Sequence, residues 1–222
     1  MISPDYRSLL FVRADDAEQL EAALASESDA VVADLEDTTP PDAKERAREV
    51  VAEIFGRERG GPARLIRVNE LDGPLVAEDL ALARSIALDG LVVPQASHES
   101  IDVVRDAGLP VVAVIESARG LRQAYEIAAR PHVWALQLGA KDLSLDLGLE
   151  ARADGLELLH TRSRLVVDAV AAGIHGIFDR VLAATDHEEL ERDALFARSL
   201  GLRGKSTLAP GDVAVINRVF AR

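Results

Sequence analysis

Short apolar runs alternate with helix-spaced segments eight times along this chain, and nothing else in the sequence limits its fold so strongly. The run Val111-Val112-Ala113-Val114-Ile115 shows the type: five apolar residues leading straight into Glu116. A run this short and uniformly apolar reads as a strand buried on both faces, as in a parallel sheet. Companion runs lie at 8–12, 30–37, 64–69, 90–95, 133–139, 174–179 and 204–208, the sixth continuing through Ala140-Lys141 to an end at Asp142.

The intervening segments carry helical spacing. In 15–25, apolar residues fall at Ala17, Leu20, Ala23 and Leu24. Thr39, Pro40 and Asp42 resemble a helix start, with an N-cap, a first-turn proline and an acid in the first turn, leading to about Phe55. Gly60-Gly61-Pro62 breaks that helix. Further helices are expected at 76–87, 97–107, 121–129, 186–200 and 210–220, and a connection over 143–153 leads into a long one that Gly173 closes.

Strands alternating with helices imply a parallel sheet. Eight such units, at about 28 residues each, fit one (β/α)8 TIM barrel domain over residues 1–222. An open doubly wound sheet is the alternative. Against it, no Gly-x-Gly-x-x-Gly follows any strand, and polar residues gather at many strand ends rather than at one switch point.

Composition narrows the function. Aromatic residues are only 4% of the chain, so aliphatic packing must fill the core. A net charge of −13 argues against a general nucleic-acid binder, which needs a basic face. The absence of cysteine excludes disulfides, thiolate zinc sites and thiol nucleophiles. No apolar run approaches the ~18 residues of a membrane span. The N-terminus lacks the apolar centre of a signal peptide, so a cytoplasmic location is expected.

In a barrel the reactive groups stand at the C-terminal strand ends. Those ends supply Arg13; Asp34, Glu36 and Asp37; Arg67 and Asn69; Gln95; Glu116; Lys141 and Asp142; and Asp179 and Arg180. Glu116 and Asp142, on successive strands, would suit a hard cation such as Mg²⁺, which keeps one or two carboxylates beside water and substrate oxygens. Equally, each acid could cap the following helix or pair with an arginine. Arg67 could clamp a carboxylate bidentately, or form a salt bridge to Glu36 or Asp37. Asp34 and Glu36 lie two residues apart and share a side, so one is expected to face into the barrel and need a partner. The five histidines show no ligand spacing, and only His175 is expected within a strand. Lys205 with Ser206 and Thr207 could bind an anion, although a plain strand accounts for them better.

Taken together, several blocks resemble the beta subunit of citrate lyase and its relatives in the HpcH/HpaI aldolase/citrate lyase superfamily, which includes malyl-CoA and citramalyl-CoA lyases. They are 7–12, 29–37 with its Asp34-Leu35-Glu36-Asp37, Lys44 to Arg48, Arg67-Val68-Asn69, 115–120, 138–143 and 199–205. The resemblance implies a barrel assembled as a trimer or a multiple of it. It implies Mg²⁺ held by Glu116 and Asp142. A small 2-oxo acid, or its CoA-linked hydroxy-acyl adduct, would be bound by Arg67, Glu116, Gly139, Ala140 and Asp142. Arg67, Glu36 and Asp37 would then support reversible carbon–carbon cleavage. A metal-dependent acyl-CoA thioesterase or hydrolase, or a barrel that binds an oxo acid without turnover, is the alternative.

The chain departs from the family pattern at Pro94-Gln95 (Pro-Lys in relatives), at Leu208-Ala209-Pro210 (Ile-His-Pro) and at Val12-Arg13-Ala14 (Val-Pro-Gly). Relatives often carry a further C-terminal segment that supplies a catalytic acid. No residue here is expected to inherit that role.

Overall fold

A computed structural model describes residues 5–57 and 60–221. Among the described residues there are eight strands: β1 Ser8–Arg13, β2 Ala30–Asp34, β3 Ala63–Arg67, β4 Gly90–Val93, β5 Val111–Ile115, β6 Val133–Leu138, β7 Gly176–Asp179 and β8 Gly204–Thr207. Each pairs in parallel with the next, and β8 returns to β1, so the sheet closes into a barrel. That closure excludes the open doubly wound sheet. The helices are α1 Ala17–Leu24, α2 Lys44–Phe55, α3 Val76–Ser85, α4 Ala118–Arg122, α5 Ala124–Ala128, α6 Ala140–Leu147, α7 Leu159–Ala171, α8 His187–Ser199 and α9 Val213–Val219. Among the described residues no helix is long and apolar enough to cross a membrane.

Two cores explain why the strands read as unbroken apolar runs. One fills the barrel: Leu9, Phe11, Ala30, Val32, Leu65, Val92, Val112, Val114, Ala135 and Phe178. The other lies between barrel and helices and takes the alternate strand positions, such as Leu10, Val31, Ile66, Leu91 and Ile115. A strand sandwiched this way must be apolar on both faces.

Several boundaries differ from expectation. β6 ends at Leu138, so Asp142 does not stand at the strand end but in the first turn of α6. Much of the expected connection over 143–153 is thus helix. Residues 101–107 form a 3-10 helix rather than an α-helix. Ile101, Val103 and Val104 are β-branched, a residue type with low α-helix propensity. Segment 121–129 splits into α4 and α5 at Gln123. β7 begins at Gly176, which leaves His175 before the strand. Thr39 caps no helix: its hydroxyl donates to the Asp34 carbonyl at 2.7 Å, and a 3-10 turn starts at Pro41 instead.

Asp179 and Arg180 turn away from the barrel mouth. Phe178 occupies the interior, so Asp179 points outward into the helix layer. There it accepts two hydrogen bonds from Arg162, at 2.9 and 2.8 Å, and one from Lys205 at 2.7 Å. Asp193 of α8 completes the group, bonded to Arg162 at 2.7 Å and Lys205 at 2.6 Å. Charges this deeply buried require such mutual pairing. Lys205 is therefore part of the scaffold and not of an anion site.

Candidate functional site

A cavity of about 530 Å³ opens at the C-terminal mouth of the barrel, and Phe11, Arg67, Val114, Glu116, Gln137 and Asp142 are among its walls. A larger cavity, about 670 Å³, lies at the opposite end beside Arg105, His132, Trp134 and His175. Barrel enzymes place their chemistry at the C-terminal face. All the carboxylates of the expected site are at that end, so the smaller cavity is the candidate site.

Arg67, at the end of β3, meets Asp34, at the end of β2, in a side-on fork. Nε donates to Oδ1 at 2.6 Å and Nη2 to Oδ2 at 2.5 Å. Nη1 approaches Glu36 Oε2 at 2.9 Å. The guanidinium sits over the Phe11 ring, 5.4 Å from its centre. Asp34 shares the interior side of β2 with Ala30 and Val32, and it is the acid that faces in and needs a partner. It also accepts from the Glu36 and Thr38 amides and from the Thr38 hydroxyl. Burial pushes the Asp34 carboxyl up, but the Arg67 hydrogen bonds and charge outweigh it and hold the group below the usual carboxylate range. Arg67 itself is destabilised as a cation by burial, yet Asp34 raises its affinity for the proton further still.

Lys44 explains why the Lys44–Arg48 block matters. Its Nζ donates to the carbonyls of Leu35 and Glu36, both at 2.6 Å, pinning the loop that carries Glu36. Arg48 bonds Asp79 of α3 at 2.8 Å. Asn69 bonds the same carboxylate, which places Asn69 in the scaffold rather than the cavity wall. Burial, helped by the charges of Asp37 and Asp34, pushes the Glu36 carboxyl up to about 7 against the pull of Arg67. Asp37 is exposed on the rim.

Glu116 follows β5 and is 6% exposed. Its Oε1 accepts the Gln95 amide at 2.6 Å. Gln95 presents that N–H from a left-handed backbone, φ 46°, a strained conformation for a residue with a side chain. Burial pushes the Glu116 carboxyl up to about 7, with Glu36 and Asp142 adding to the rise. Gly139 packs directly on it: a Cβ there would lie 2.5 Å from Glu116 Oε2. The Gly139 N–H is taken by the Ile115 carbonyl at 3.0 Å. The N–H groups of Ala140, Lys141 and Asp142 in the first turn of α6 have no partner within the helix. Asp142 stands in that same first turn, beside the cavity.

Among the described residues, no lysine, arginine or histidine pairs with Glu116 or Asp142. No three His, Asp or Glu side chains converge there in a ready metal cage. The donor set is two carboxylates, one of them buried with no ion-pair partner among the described residues, although the charge of Arg67 acts on it across the cavity. That fits a hard divalent ion whose remaining positions go to water and ligand oxygens, as Mg²⁺ prefers.

The structure therefore brings Asp37, Arg67, Glu116, Gly139, Ala140 and Asp142 to one cavity, sets Glu36 behind it against Arg67, and sends Asn69, Asp179 and Arg180 elsewhere. Gln137, on the cavity floor, was not foreseen. The sequence signal was available: it is the one polar residue inside the run 133–139.

Residues 7–210 match the family described as HpcH/HpaI aldolase/citrate lyase. The citrate lyase subunit beta-like protein of Deinococcus radiodurans is 34% identical, over 96% of this chain and 79% of its own. The (3S)-malyl-CoA thioesterase of Cereibacter sphaeroides strain KD131 is 31% identical, over 97% of this chain and 77% of its own. Among solved structures, the citrate lyase beta subunit of M. tuberculosis complexed with oxaloacetate and magnesium superposes with a TM-score of 0.85 at 28% identity, covering 99% of each chain. The chain belongs to the HpcH/HpaI aldolase/citrate lyase family.

Proposed function

We propose that this chain is a Mg²⁺-dependent carbon–carbon lyase or aldolase acting on a small 2-oxo acid or its hydroxy-acyl adduct, either free or linked to CoA. The observation that carries the reading is the pair Glu116 and Asp142, in contact with no cation, at one cavity with the guanidinium of Arg67. The magnesium and oxaloacetate in the M. tuberculosis relative support it.

Glu116 and Asp142 would hold the ion, which supplies Lewis-acid polarisation of a ligand carbonyl. Arg67 offers its remaining N–H groups to the substrate carboxylate and stabilises the charge that carbon–carbon cleavage throws onto the oxo acid. Asp34 fixes the plane of that guanidinium, and Glu36 steadies its far end. Asp37, on the rim, is placed to order water. The amides of Ala140 and Lys141 face the ligand as the positive end of α6. Gly139 serves by leaving room for Glu116.

Calorimetric titration with Mg²⁺ and oxaloacetate tests the assignment. Wild type is expected to bind both, and Glu116→Ala and Asp142→Ala to lose them. Unchanged affinity in those variants would overturn it. A hydrolase working on the same site is the second reading, favoured by the 31% identity to a malyl-CoA thioesterase. Product analysis separates the two, since a lyase yields two carbon fragments and a thioesterase the intact free acid.

A further inference from the structure

Gln137 is a polar residue in an apolar place. In the barrel register it lies beside Val114 of β5 and Phe178 of β7, both members of the interior core, so its side chain points into the barrel. There it forms part of the cavity floor with Phe11 and Val114. It is 5% exposed, and its Oε1 is buried with no hydrogen-bond partner among the described residues. Exchanging the amide's O and N leaves a donor in the same position, so either assignment places an unmatched polar atom at the floor.

The rest of the barrel does not satisfy it. Ser206, opposite Leu9 of β1, is the other interior polar residue of this region, and its hydroxyl is equally unpartnered. The two side chains are therefore not bonded to each other. Arg67 is committed to Asp34 and Glu36. A buried amide without a partner is costly, whereas a leucine or methionine there would cost nothing of the kind. The group that matches it must come from the cavity side.

We propose that Gln137 is a specificity-determining residue that hydrogen-bonds a hydroxyl on the carbon chain of the bound 2-oxo acid, and so selects hydroxylated oxo acids over those ending in a methyl group. The inference rests on the oxo-acid reading of the site. An amide donates and accepts, which matches a hydroxyl in both senses. Asp37, Glu116 and Asp142 already line the cavity, and a neutral hydroxyl meets the amide without adding charge beside them. A site built to bond a hydroxyl discriminates strongly against an analogue lacking it, because its polar group is then left unpaired.

The test compares pyruvate with 3-hydroxypyruvate, which carry the same charge and differ by one hydroxyl. Dissociation constants are measured calorimetrically at saturating Mg²⁺ for wild type, Gln137→Met and Gln137→Leu. Wild type is expected to favour 3-hydroxypyruvate by about tenfold, and both variants to reduce that ratio to about one. Their melting temperatures are expected to stand at or above that of wild type, so a lost ratio would not reflect lost folding. Two substitutions of different shape guard against one that fails to fold. If wild type binds the acids equally, or if the tenfold ratio survives in a folded variant, the role of Gln137 is refuted while the oxo-acid reading stands. If wild type binds neither acid, that reading falls and the role of Gln137 falls with it.

Discussion

Replacing Glu116 by glutamine should stabilise the metal-free protein at alkaline pH, by an amount that the burial of this carboxyl sets. The folded-state pKa is about 7 against an ordinary 4.5. Below pH 4.5 folded and unfolded chains both hold the proton, and the variant and wild type differ little. Between 4.5 and 7 the unfolded chain releases the proton while the folded one keeps it, so wild type loses stability as pH rises. Above 7 both states are ionised and the penalty is constant. At about 1.4 kcal/mol per unit, the full difference is about 3 kcal/mol by pH 8. Glu116→Gln removes the ionisation and keeps an oxygen for the Gln95 amide. Urea denaturation followed by circular dichroism, in EDTA, should show a gap under about 1 kcal/mol at pH 5 and about 3 kcal/mol at pH 8, with the variant the more stable. Adding Mg²⁺ should then stabilise wild type by mass action and leave the variant unmoved. Parallel stability curves across this pH range would refute the reasoning, because the carboxyl would then be solvated rather than buried.

Gly139→Ala should weaken Mg²⁺ binding at least about tenfold in calorimetry with far-UV dichroism unchanged, since the added Cβ lands 2.5 Å from Glu116 Oε2. Gln95→Gly should keep both stability and Mg²⁺ affinity, while Gln95→Val should lose about 1–3 kcal/mol in urea titration, because φ 46° suits glycine and not a β-branched residue. Arg67→Ala strands the buried Asp34 carboxylate and should cost about 3–5 kcal/mol by the same measure. A cost under about 1 kcal/mol would show that the pair is well hydrated.

The fold was legible because a parallel barrel buries its strands twice over, and this leaves continuous apolar runs in the sequence. That same property hid which strand-end acids face inward. In an amphipathic strand the polar positions reveal the phase; here both phases are apolar. Asp34 and Asp179 therefore looked alike at the ends of β2 and β7. Only the packed interior, with Val32 on one strand and Phe178 on the other, shows that the first points in and the second out. Asp142 was misplaced for a local reason: the apolar spacing of β6 passes through Gly139 into α6 without a break in pattern. The grouping of Glu36, Arg67, Glu116 and Asp142 was legible through family motifs more than through chemistry, since any one of these acids could have been a cap.

Asp179, Arg162, Lys205 and Asp193 knit the wall behind β7 and β8 into a single piece. Removing one member leaves a bare charge in a dry seam, so that quarter of the cylinder holds or gives way as a unit. The acids and the arginine of the barrel mouth hang instead from β2, β3, β5 and the start of α6. A designer can therefore rebuild the loops that meet the ligand while the far seam keeps the cylinder shut.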